Sequence, residues 1–153
     1  MLSKTPPMGF NTWNTFGENI NENIIKETAD AMLEKGLLDA GYEYLVIDDC
    51  WSERERDPES GKIVPDKIKF PNGMKAVSDY VHSKGLKFGM YSCAGTRTCA
   101  DYPGSFDHEF LDAETFAEYG KGAVFHAAAM NVPAPKKDTP AMSDVHFMSK
   151  ISD

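Results

Sequence analysis

The sequence has no apolar run approaching the ~20 residues that a membrane-spanning helix requires. It also has no charged-then-apolar leader, because Met1 to Lys4 give way at once to polar and turn-forming residues. A cytoplasmic chain with no membrane partner is the expectation. Positive charge is scarce as well. Lys and Arg number 16 against 24 Asp and Glu, a formal net charge of −8. That balance argues against nucleic acid and anionic lipid, both of which reward basic residues. Cysteine is sparse: Cys50, Cys93 and Cys99 contain no CxxC spacing, so neither a zinc site nor a thioredoxin-like motif is supported. Three reduced thiols are expected, and Cys93 and Cys99 can pair only if the turn between them folds back. No GxGxxG or Walker loop follows any candidate strand, so no nucleotide cofactor is expected.

What the chain does have is a core-forming composition and a repeating plan. At 153 residues, 41% hydrophobic and 26% charged, it is long enough and apolar enough for one globular domain. Met8 to Trp13 reads as a first short strand. Asn21 then caps a helix whose Ile25, Thr28, Ala29, Met32 and Gly36 recur at helical spacing, with Gly36 and Gly41 closing it. Tyr44-Leu45-Val46-Ile47 is a continuous apolar run of the kind found in strands buried on both faces. A polar excursion follows from Ser52 to Phe70. A second helix starts near Pro71-Asn72 with Met74, Val77 and Val81 inward and Gly85 past its end. Leu86 to Tyr91 is a third strand, Ser92 to Phe106 a loop, and His108 to Tyr119 a third helix with Leu111, Phe116 and Tyr119 as core contacts. A fourth strand fits Gly122 to His126. Residues 1–120 thus form three βα units, while 121–153, with Pro133, Pro135 and Pro140, lack a sustained period and are expected to be poorly ordered.

Strand and helix alternating in this way predict an α/β fold with a parallel sheet. An open doubly wound sheet and a (β/α)8 TIM barrel both fit. The long loops after the second and third strands favour the barrel, whose βα loops carry the site. In that frame Asp48 and Asp49, directly after a buried strand, reach the catalytic face, where ionised carboxylates accept hydrogen bonds from sugar hydroxyls. A turn or helix cap is the plainer role for such a pair. Trp13 and Trp51 follow neighbouring strands, and an indole face stacks on a pyranose, although a tryptophan is more often ordinary core. Tyr91 ends the third strand. His82 and His108 are not placed to activate Cys93, and no metal site is suggested by His126 or His146.

These same residues form a family signature. Thr5-Pro6-Pro7-Met8-Gly9-Phe10-Asn11-Thr12-Trp13-Asn14 resembles the TPPMGWNSWN opening of glycoside hydrolase family 27, the α-galactosidases and α-N-acetylgalactosaminidases. Asp39 to Tyr44 followed by Ile47-Asp48-Asp49-Cys50-Trp51 resembles its DAGYEY and IDDCW block. Lys69 to Met74, Val81 to Lys87, Gly89 to Ser92, and Gly95 to Ser105 continue the likeness in order, so that it covers about residues 5 to 120. The resemblance implies a (β/α)8 barrel and a retaining α-galactosidase, with two carboxylates ~5–5.5 Å apart as nucleophile and acid/base. It implies substrate-binding roles for Trp13, Asp48, Asp49, Tyr91 and Cys99, with Asp48 and Asp49 holding galactose hydroxyls, including the axial 4-OH. No cofactor and no metal are implied.

The departures from the family pattern are equally specific. The family nucleophile stands in a KYD-type fourth-strand motif, but here Gly120 is followed by Lys121-Gly122-Ala123-Val124-Phe125-His126, and no Asp occurs between Asp112 and Asp138. The acid/base Asp belongs to a later part of the barrel. Cys50 and Cys99 match cysteines often disulfide-bonded in secreted relatives, but their partner positions carry no cysteine, and Cys93 replaces a common Asp. A full barrel takes ~250 residues. The expectation is therefore an incomplete barrel without catalytic residues, from a chain cut short, altered in reading frame near Gly120, or short by nature. It would bind an α-galactoside, be inactive alone, and be prone to self-association through exposed sheet edges. A non-catalytic galactose-binding module and a subunit that completes a barrel with another polypeptide are the alternatives.

Overall fold

The computed structural model describes residues 7–120 together with the backbone of residues 124–127. Four strands form one parallel sheet in the order β1 (Gly9–Asn11), β2 (Tyr44–Ile47), β3 (Lys87–Ser92) and β4 (Val124–Ala127). The register aligns Asn11 with Val46, Ile47 with Met90, and Tyr91 with His126. A one-turn helix α1 (Trp13–Phe16) and the longer α2 (Glu22–Glu34) join β1 to β2. The crossover from β2 to β3 is α3 (Gly73–Ser83), and from β3 to β4 it is α4 (Glu109–Tyr119). The fourth strand expected over Gly122 to His126 is found at Val124–Ala127. The expectation of disorder beyond it lies outside the described residues.

The three longer helices form where their sequence signals indicate. The Asn21 side chain accepts a hydrogen bond from Ile24 N at 3.0 Å, satisfying a donor that the first turn leaves open. From there Ile25, Ala29 and Met32 fall on one stripe, and all three are buried. Met74, Val77 and Val81 do the same for α3, and Gly85 leaves that helix at φ 78°, a left-handed turn that glycine makes without strain.

Alternation along the strands then sorts the sheet into two faces. Leu45 and Ile47 of β2, with Phe88 and Met90 of β3, join Ile25, Met32, Met74, Val77, Val81 and Phe116 from α2, α3 and α4 in a single buried cluster. The three long helices therefore lie on the same side of the sheet. A doubly wound sheet would place helices on both sides. Sequential strand order with one-sided helices is the arc of a (β/α) barrel, and the fold is the N-terminal portion of one. The opposite face carries Asn11, Tyr44, Val46, Gly89 and Tyr91 toward the barrel axis.

Leu111, expected in the core, is only partly buried and is not in the main cluster, and two larger features also differ from the sequence reading. Strand β1 ends at Asn11 and does not reach Trp13, because the Asn11 side-chain oxygen accepts from Trp13 N at 2.9 Å and turns the chain into α1. The excursion Ser52 to Phe70 is also more than a polar loop. Ile63 and Phe70 are buried in the main cluster. Arg56 places its guanidinium on both oxygens of Asp112, at 2.7 and 2.8 Å, and on the carbonyls of Gly61 and Gly104 at 2.9 and 2.7 Å. That fork ties the loops after β2 and β3 to α4. Gly104 is required in this arrangement. A Cβ there would stand 2.0 Å from Gly95 O and 2.8 Å from Cys93 Sγ.

Two measurements check this core. Phe88 is fully buried whereas Ile68 is 92% exposed. In urea denaturation Phe88→Ala should lose ~3–5 kcal/mol, and Ile68→Ala should stay within about 0.5 kcal/mol of the parent. Tyr119 packs against Trp51 and Phe116 and donates its phenol to Ile63 O. Burial, aided by the neighbouring Glu118 and Asp112, pushes that phenol up to about 12. Because the folded state holds this proton more tightly than the unfolded chain, the stability it contributes is complete below about pH 10. It is lost as pH rises toward 12. Stability measured across that interval should fall more steeply in the parent than in Tyr119→Phe.

Candidate functional site

At the C-terminal end of β2 the chain leaves the apolar interior and uses side chains to complete its ladder. Thr12 N still donates to Val46 O at 3.1 Å. One step further on, Asp48 N donates to the Thr12 hydroxyl at 2.9 Å, so the side chain takes over where the backbone of β1 turns away. Asn11 Nδ2 donates to Asp48 Oδ2 at 2.7 Å, and Asp49 N donates to Asp48 Oδ1 at 2.8 Å. Both Asp48 oxygens are thereby fixed from the protein side. An ionised carboxylate has about four acceptor positions, so about two remain for a ligand. Asp48 shares a sheet face with Asn11 and Tyr91, the face turned away from the helices.

Asp49 is held differently. It is buried, with Cys50 N donating to one oxygen at 2.8 Å and Ala100 N donating to the other at 3.2 Å. The second of these draws the loop after β3 over the end of β2, bringing the neighbouring Cys99 to the rim. Cys50 itself has φ 71°, a left-handed conformation that costs a non-glycine residue ~1–2 kcal/mol. The reversal turns Trp51 back inward. Trp51 is buried, donates its indole N–H to Tyr91 O at 2.9 Å, and sits edge-on to Phe116 and Tyr119. It belongs to the core. Trp13 opens α1 with 43% of its surface exposed.

Tyr91 joins the two groups electrostatically. Burial raises its phenol well above the usual range, and Asp49, Cys93, Cys99 and Asp48 add to the rise in that order. The phenol is a hydrogen-bond donor at any physiological pH. Burial also raises the thiols of Cys50 and Cys93, with Asp49 adding to both. Cys93 is buried, and its Sγ donates to Arg97 O at 3.1 Å. No disulfide joins the three cysteines, and Cys99 alone of them is exposed.

The structure thus brings Asp48, Asp49, Tyr91 and the Cys99 segment together at one end of the sheet, with Trp13 linked to Asp48 through Asn11. The pattern reading did not single out Asn11, Thr12 or Ala100. Asn11 and Thr12 carry a signal that was open to use, since a polar residue ending a buried strand beside a carboxylate strand end is a ready partner for it. Among the described residues no group of three or more His, Cys, Asp or Glu is arranged to hold a metal, and no helix is long and apolar enough to cross a membrane. A polar cleft of about 380 Å³ at the start of α2 is lined by Asn21, Glu22, Lys26, Lys69 and Asn72 among others, and by none of the residues above.

Comparison with known proteins shows which family the chain and its fold resemble. The family model described as alpha galactosidase A matches residues 5–143. An alpha-galactosidase from Cyamopsis tetragonoloba is 58% identical over 120 residues, 78% of this chain and 29% of that protein. One from Coffea arabica is 51% identical over 144 residues, 93% of this chain and 38% of that protein. Among solved structures, alpha-galactosidase I from Mortierella vinacea superposes with a TM-score of 0.76 at 45% identity, covering 80% of this chain and 30% of that one. The enzyme from Saccharomyces cerevisiae solved with raffinose gives 0.74 at 48% identity, over 77% of this chain and 26% of that one. The chain spans roughly a third of the length of these relatives. By sequence and by fold it belongs to the alpha galactosidase A family, glycoside hydrolase family 27.

Proposed function

We propose that this chain carries the galactose-holding part of a retaining α-galactosidase and does not by itself cleave the glycosidic bond. The observation that carries the proposal is the Asp48–Asp49 pair, fixed by Asn11, Thr12, Cys50 and Ala100 at the C-terminal edge of a parallel barrel sheet. Ordered carboxylates with spare acceptor positions suit the vicinal hydroxyls of a terminal α-galactosyl unit, the axial 4-OH among them. Trp13 offers an exposed indole for the apolar face of the ring, and Tyr91 and Cys99 complete the rim. Raffinose, the sugar in the Saccharomyces structure, ends in such a unit.

Cleavage with retention needs a carboxylate nucleophile and a second carboxyl as acid/base. Strand β4 stands where the family pattern places the nucleophile motif. Its residues are Val124, Phe125, His126 and Ala127, none of them a carboxylate. On this reading the chain supplies holding groups, and the described fourth strand supplies no carboxylate to react.

Saturation-transfer NMR of galactose with the purified chain should show contact that Asp48→Ala abolishes. Asn11→Ala should weaken it by an intermediate amount, roughly tenfold for one lost charge-assisted hydrogen bond of ~1.5 kcal/mol. Release of nitrophenol from an aryl α-galactoside should fall roughly three or more orders of magnitude below a full-length relative. Robust turnover that disappears in Asp48→Ala would overturn the inactive reading and direct attention to Asp101 and Asp107 in the third loop.

A further inference from the structure

The loop after β3 is gripped by arginines at two levels. Arg56 holds its base, at Gly104 O. Its tip is a tight turn, in which Asp101 N donates to Thr98 O at 3.1 Å and Thr98 N donates to Tyr102 O at 2.8 Å. Cys99 and Ala100 are the central residues of that turn. A four-residue turn bonds the C=O of its first residue to the N–H of its fourth, and leaves the polar groups of the central pair unused. Both groups of Ala100 are engaged outside the turn. Its N–H donates to Asp49 Oδ2 at 3.2 Å, and its C=O accepts from Arg54 Nη1 at 3.1 Å. Asp49 Oδ1 takes its donor from the adjacent Cys50 N, a local contact. Ala100 N fixes the second oxygen from a different loop.

Arg54 comes from the loop after β2, and its guanidinium also lies 4.5 Å from the centre of the Tyr102 ring, a cation–π contact. Arg97 reaches back the other way. Its Nη1 donates to Arg54 O at 2.7 Å and to Asp101 O at 3.3 Å, and its Nη2 donates to Glu55 Oε1 at 2.6 Å. Each loop thus sends one arginine onto the backbone of the other. Between them Asp101 has φ 64°, a left-handed conformation that a non-glycine residue keeps only when its surroundings hold it. An exposed ion pair alone fixes little. These two guanidiniums reach backbone carbonyls and a ring as well, and those contacts set where Ala100 stands.

We infer that Arg54, seconded by Arg97, is a positioning residue for the sugar-holding pair: it sets the Ala100 peptide against Asp49 and so aims the Asp49 carboxylate. It acts through Ala100 and not on the ligand. Losing its donors leaves the turn free to drift from the end of β2, and Asp49 loses the donor that orients its outer oxygen. The inference rests on the galactose-holding reading for its effect on binding, whereas the state of the Ala100 amide is independent of any sugar.

Backbone hydrogen exchange and NMR titration with galactose test it on the full purified chain, in the parent and in Arg54→Met, which keeps an unbranched stem and removes the donors. In the variant the Ala100 amide should exchange roughly fivefold faster, the worth of one ordinary hydrogen bond. The amides of Gly104 and Ser105, bonded to Thr96 O and Cys93 O at the base of the loop, should keep the parent's protection. Galactose affinity should fall by a similar factor. An Ala100 amide unprotected in the parent, or equally protected in parent and variant, would overturn the inference. So would protection lost at Gly104 and Ser105 together with Ala100, because Arg54 would then only hold the loop together. Where the parent binds galactose, equal affinity in the variant overturns it as well. Where the parent binds none, the sugar reading fails by itself and the Ala100 amide still decides whether Arg54 sets Asp49. If Arg54→Met does not fold, Arg97→Met opens the same clasp from the other loop and is read in the same way.

Discussion

A parallel sheet with helices on one side must cover its other side by curving until that side becomes an interior. This constraint governs the rest of the molecule. Leu45, Ile47, Phe88 and Met90 are committed to the helices, so the alternate residues, among them Asn11, Tyr44, Val46, Gly89 and Tyr91, are committed to the axis. The strand ends then converge, because curvature brings the C-terminal edge of every strand toward one mouth. Asp48 and Tyr91 sit at that edge on the axial face as a consequence of the same alternation that buries Ile47 and Met90 against α2 and α3.

The convergence would still be loose without side chains that replace the missing ladder. Thr12 accepts from Asp48 N where β1 has already turned aside, and Asn11 fixes the Asp48 carboxylate while also starting the turn into α1. One residue thus ends a strand, opens a helix and aims an acid. On the other flank, Asp49 is positioned by backbone donors on both sides, one of them from the loop after β3. That loop is held in turn by Arg56 on Asp112 and Gly104 O. Asp112 is almost wholly buried, and leaving such a charge without its partner costs ~3–5 kcal/mol. The position of Asp49 therefore depends on a guanidinium that never touches it.

Much of this could be read from the chain before any coordinates. A run of four apolar residues, Tyr44 to Ile47, reads as a strand covered on both faces, and Asp48 and Asp49 directly after it stand at the strand's C-terminal end in either a barrel or a doubly wound sheet. The helices were legible from Asn21 and from the spacing of Ile25, Ala29 and Met32. Other features carried no local signal. Nothing in Ser52 to Phe70 has a period, so the burial of Ile63 and Phe70 and the reach of Arg56 to Asp112, 56 positions away, are tertiary facts. The two tryptophans were equivalent in sequence, each just past a strand. They are separated by the left-handed turn at Cys50, a residue type that does not announce such a conformation as glycine would. One-sided helix packing, which distinguishes a barrel arc from a doubly wound sheet, likewise emerges only from the contacts among elements.

That separation of the tryptophans gives the protein two optical reporters with different surroundings. The chain contains only Trp13 and Trp51. Trp51 lies in an apolar, hydrogen-bonded setting, so its emission is expected at short wavelength and shielded from soluble quenchers. Trp13 is partly open to solvent, so its emission is expected further to the red and open to collision. Acrylamide can therefore silence one and leave the other, so that intrinsic fluorescence resolves events at the mouth from loosening of the interior in a single unlabelled sample.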